Sequence, residues 1–130
     1  MLLWWPVPGA GVVRVSTEDS MIPMAVLEEF AAQIASCYGP ERVILFGSQA
    51  RGDAKPDSDA DILIIMPFDG SGLRKSVEIL VRLSPKFPID LITRRPEDVR
   101  RSYAEGDPLI GEALEEGIVL YERDGAGVAA

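Results

Sequence analysis

From residue 20 onward, apolar residues recur at helical spacing: Met24, Leu27, Phe30, Ala31, Ile34 and Tyr38 share one side, while Glu28, Glu29 and Ser36 take the other. This predicts a first helix that tolerates Pro23 in its first turn and stops at Gly39 and Pro40. The apolar run at 43–46 is too short for a helix and suits a buried strand that points at Gly47. A second run at 62–66 lacks strict alternation, which predicts a central strand covered on both faces. Leu73, Val77, Leu80 and Val81 predict a helix over 72–83, and "KFPIDLIT" predicts a third strand ending near Thr93. Pro88 puts the first residues of that strand at a sheet edge or a strand start. Pro96, followed by Glu97 and Asp98, opens a further helix; after a break at 106–108 another runs to Glu116, and "IVLYE" closes as a short strand. The order of elements predicts an α+β fold, an α/β sandwich with a small mixed sheet packed on helices.

Composition narrows the chemistry. The chain of 130 residues, 47% hydrophobic, suits one domain with a modest core. We place that domain at 20–122, after an extension at 1–19 and before a small, Gly-rich tail at 123–130 that is expected to be mobile. The apolar start carries Trp4 and Trp5 but no basic leader, and Pro6, Pro8, Gly9 and Gly11 interrupt it, so neither a signal nor a membrane span is expected. A net charge of −8 disfavours direct, phosphate-driven binding to nucleic acid, which needs a basic face. With no histidine, a Ser-His-Asp triad, a Cys-His pair and a His-rich zinc site are all excluded from this chain alone. Cys37 cannot form an internal disulfide; it falls in the helical pattern, where a small buried apolar role is expected, and a reducing cytoplasm fits.

What remains for chemistry is carboxylates and hydroxyls. In "FGSQARGDAKPDSDADILIIM" three aspartates, Asp57, Asp59 and Asp61, precede an apolar run, where like charges repel one another and lose hydration unless a counterion joins them. Residues two apart in an extended chain share a face, so Asp59 and Asp61 project together. Asp90 lies between Ile89 and Leu91, where burying a lone carboxylate would be costly; beside the second strand it would complete a three-carboxylate site. Such oxygen ligands suit Mg²⁺ or Mn²⁺, whose remaining positions take water and phosphate oxygens. Gly47 and Ser48 follow the first strand at once, where a glycine lets backbone amides approach a phosphate and a serine adds a hydroxyl. Asp53, Lys55 and Asp57 read as a solvated turn, and the pairs Arg94-Arg95 and Arg100-Arg101 as a solvated face. A calcium loop fails on spacing: counted from Asp57, the sixth position is Ile62 instead of glycine and the twelfth is Phe68 instead of glutamate.

Gly47, Ser48, ten residues, then Asp59, Ala60 and Asp61, with "ARG" at 50–52 and "SDAD" at 58–61, resemble the minimal nucleotidyltransferases of the DNA polymerase beta superfamily. The resemblance runs from about Met21 to Glu122 and includes the Asp of "IDLIT" and the closing "ALEEGIVLYE". It implies the nucleotidyltransferase fold. It also implies that Asp59 and Asp61 bind two Mg²⁺ ions, that Asp90 binds one of them and helps deprotonate the acceptor, and that Gly47 and Ser48 hold the triphosphate of ATP. Arg51 carries over as a phosphate contact or a brace of the loop. Stand-alone members of this kind are commonly antitoxins whose partner is a helical HEPN toxin, which they adenylylate on a tyrosine. The implied protein is a cytoplasmic protein adenylyltransferase of the type VII kind, working in a hetero-oligomer. Two alternatives stand beside it: an antitoxin that neutralises by binding without catalysis, and the catalytic subunit of a small-molecule nucleotidyltransferase whose partner shapes the pocket.

Overall fold

The short run between Pro40 and Gly47 has no room for a helix, and it forms the strand on which the rest of the sheet is assembled. A computed structural model describes residues 21–123. The proposed extension at 1–19 and all but the first residue of the tail at 123–130 lie outside them. The elements are α1 (Met24–Tyr38), β1 (Arg42–Phe46), α2 (Ser48–Arg51), β2 (Ala60–Ile65), α3 (Gly72–Leu83), β3 (Ile89–Arg94), α4 (Pro96–Ala104), α5 (Pro108–Glu116) and β4 (Ile118–Glu122). The strands form one sheet in the order β3-β2-β1-β4. β1 runs antiparallel to both β2 and β4, whereas β2 and β3 are parallel and are joined through α3, as a parallel pair requires. The result is the expected α+β architecture with a small mixed sheet.

Alternate side chains of the central strands go to opposite faces. Val43, Leu45, Ile62 and Ile64 pack with Leu27, Phe30 and Ile34 of α1 and with Ile79 of α3. Ile44, Phe46, Leu63 and Ile65 pack with Val99 of α4 and with Ile110 and Ala113 of α5. Cover on both faces explains why β2 reads as a continuous apolar run. The helix ends follow local chemistry: Gly39 adopts a left-handed conformation (φ 60°) after α1, Ser71 caps α3, and the Asp107 carboxylate accepts from Leu109 N and Ile110 N at the start of α5.

Three features differ from the sequence reading. The short α2 interrupts what reads as loop. Cys37 is exposed instead of buried, because beyond Ile34 the inward stripe passes to Tyr38. On α3, Leu73, Val77 and Val81 are 76%, 50% and 72% exposed, and the inner face is Ser76 and Ile79. Ser76 takes a core position because its hydroxyl pairs with that of Thr93 on β3 at 2.8 Å, and this polar inner residue shifts the apparent apolar face. Asp90 is exposed near the start of an edge strand just after Pro88, the placement that Pro88 led us to expect, so it avoids the cost of burial. Among the described residues no helix is long and apolar enough to cross a membrane.

Candidate active site

Parallel pairing of β2 and β3 brings their first residues to the same end of the sheet, where β1 ends and Gly47 begins the next turn. Asp61 is in register with Phe46 on one side and with Asp90 on the other. Neighbouring strands lie about 4.8 Å apart, so Asp61 and Asp90 project side by side from one face. That face is the one covered by α4 and α5, since Asp61 shares parity with Leu63 and Ile65. Asp59 has the same parity and lies one residue ahead of β2, exposed.

Gly47 is the residue whose identity the geometry demands. Its φ of 78° and ψ of −157° belong to glycine, and a Cβ there would overlap Asp61 Oδ2 and lie 3.2 Å from Asp61 Cγ. The turn and the carboxylate are thus in contact, although fourteen positions separate them in sequence. Ser48 follows as the first residue of α2 and is half-buried. Burial raises the Asp61 carboxyl above its ordinary range, and the charges of Asp90, Asp59 and Glu112 push it further in the same direction, against a weaker opposing pull from Arg51. The four acidic groups therefore share one electrostatic environment.

All the donors are hard oxygens, the type a divalent cation of the Mg²⁺ class prefers, and a cation placed among them would offset the repulsion. Among the described residues, no three acidic or thiol groups converge into a set that could hold a metal ion with the side chains as they lie. The electrostatic coupling and this lack of convergence are compatible. Asp61 lies against Gly47, whereas the Asp59 and Asp90 side chains are exposed and free to take other rotamers. The residues fit the cation by donor chemistry and by the adjacency of Asp61 and Asp90.

Arg51 is held by two carboxylates: Nε donates to Asp53 Oδ2 at 3.3 Å, and Nη1 to Glu112 Oε2 at 2.8 Å. Two residues were not singled out from sequence. Gln49 is 2% exposed; its Oε1 accepts from Ile22 N at 3.0 Å and its Nε2 donates to Ser58 O at 3.4 Å, which joins the Gly47 turn to the segment that carries Asp59. A polar residue directly after a Gly-Ser turn is the only local hint of this. Glu112 has no local signal, since its partner is 61 residues away.

The family description "Nucleotidyltransferase domain" matches residues 26–120, and the chain belongs to that family. No curated protein matches. Among solved structures, a protein from Sulfolobus solfataricus assigned to the nucleotidyltransferases is similar in fold, with 21% identity, a TM-score of 0.56, and coverage of 78% of this chain and 81% of that one. A toxin-antitoxin structure with AMP-PNP is similar at 17% identity and a TM-score of 0.51, covering 78% of each chain.

Proposed function

We propose that this protein transfers the adenylyl group of ATP to a tyrosine hydroxyl of a HEPN-type toxin, and that it acts in the cytoplasm as the antitoxin of a hetero-oligomeric pair. The observation that carries the transfer is the register of Asp61 with Asp90 beside Gly47. The antitoxin and ATP parts draw on likeness of fold to the toxin-antitoxin structure with AMP-PNP.

Asp59 and Asp61 would hold Mg²⁺ or Mn²⁺, and Asp90 would share one ion. Such ions, when bound, neutralise the phosphates and stabilise the charge that develops on the leaving pyrophosphate. The chain's own groups do the rest. Gly47 lets the backbone approach the triphosphate, Ser48 offers its hydroxyl, and Arg51 contacts phosphate. The acceptor oxygen attacks the α-phosphorus, the bond to the β-phosphate oxygen breaks, pyrophosphate leaves, and the hydroxyl proton passes to Asp90. Net charge of −8 fits a protein acceptor better than a nucleic acid.

A second reading, neutralisation by docking without chemistry, draws on the exposed Leu73, Val77 and Val81 of α3. Intact mass spectrometry of the partner after incubation with ATP and Mg²⁺ separates the two readings. Transfer adds about 329 Da per modified tyrosine through the metal site. A partner that is silenced yet unchanged in mass selects docking.

A further inference from the structure

Arg51 stands at the end of α2, the short helix that follows the Gly47 turn, and its charge weakly opposes the rise of the Asp61 carboxyl. Its contact with Asp53 is local, longer and more exposed; the contact with Glu112 is short and ties the turn after Gly47 to α5. Glu112 also acts on Asp61, with the opposite sign. A carboxylate beside a site that is to receive a triphosphate is unfavourable taken alone, because it adds to the repulsion. The same carboxylate is favourable if it removes the rotamer freedom of a long cationic side chain, which would otherwise be lost when the ligand is bound.

We propose that Glu112 is a positioning residue for the nucleotide: it fixes the Arg51 guanidinium at the mouth of the Gly47 turn, with the N–H groups not used by Asp53 and Glu112 left to meet the triphosphate. The proposal rests on the nucleotidyl-transfer reading and deepens it, making α5 part of the phosphate site. Glu112 needs to touch neither metal nor nucleotide.

The two effects of Glu112 have opposite signs, so binding of ATP with Mg²⁺, followed by calorimetry, distinguishes them. Glu112→Ala is expected to weaken binding about fivefold to tenfold, Glu112→Gln, which keeps an acceptor oxygen, to recover part of the loss, and Glu112→Ala in an Arg51→Met background to cause no loss and a slight gain, because only the repulsion is then removed. The pair is exposed, so the melting temperature of the nucleotide-free variant should be nearly unchanged, which separates positioning from folding. Tighter binding by Glu112→Ala with Arg51 in place, or an equal loss with and without Arg51, overturns the positioning role and leaves the transfer reading intact. Failure of the unaltered protein to bind ATP with Mg²⁺ overturns the transfer reading and the positioning role with it.

Discussion

At the scale of single residues the account turns on Asp61 and Gly47. The Asp61 carboxyl is raised in the folded protein by burial and by its acidic neighbours, so the folded state takes up a proton more readily than the unfolded chain. The charged form destabilises the fold in full above that raised value, and the penalty fades as pH falls from there to the ordinary carboxylate range. Asp61→Asn should therefore raise the melting temperature of the nucleotide-free protein at neutral pH. The difference between variant and wild type should shrink as pH falls, which a pH series of thermal melts reads. Gly47→Ala should act in the opposite direction. Its Cβ must displace the Asp61 carboxylate and its φ becomes strained, at a cost of about 1–3 kcal/mol in chemical denaturation, with loss of nucleotide binding.

At the scale of elements, α3 is decided by a polar pair in the core and not by its apolar residues. Ser76→Ala leaves the Thr93 hydroxyl buried without its partner and should cost about 1–3 kcal/mol, while Ser76→Ala with Thr93→Val should recover much of that loss. Leu73→Glu and Val77→Glu should change stability by about 0.5 kcal/mol or less, whereas Ile79→Ala should cost about 2–5 kcal/mol. Urea unfolding of the set tests the orientation of the helix. The same pair explains what the sequence made visible and what it hid. Helix and strand positions were legible because caps, prolines and apolar runs are local signals. The rotation of α3 was not, because an inward serine with a partner 17 residues away breaks the apolar stripe. Likewise Asp59, Asp61 and Gly47 stand out within one loop and Asp90 within one strand, where Pro88 already marks an edge or a strand start. The roles of Gln49 and Glu112 depend on partners 27 and 61 residues distant.

At the scale of the whole molecule, one sheet carries two cores and gathers the candidate site residues at one end. β1 delivers the Gly47 turn, β2 and β3 start beside it with their aspartates in register, and α5 brings Glu112 to the same border. An acidic chain that concentrates like charges at one point of its fold needs a cation to receive a triphosphate there. The central claim is therefore a metal-linked nucleotide site, and calorimetric titration of ATP into the protein with Mg²⁺ and with EDTA measures it directly. The account predicts binding with Mg²⁺, little or none with EDTA, and loss of the metal-dependent part in an Asp59→Asn, Asp61→Asn variant that remains folded. Equal binding with and without metal, or metal-dependent binding that survives both substitutions, would contradict it.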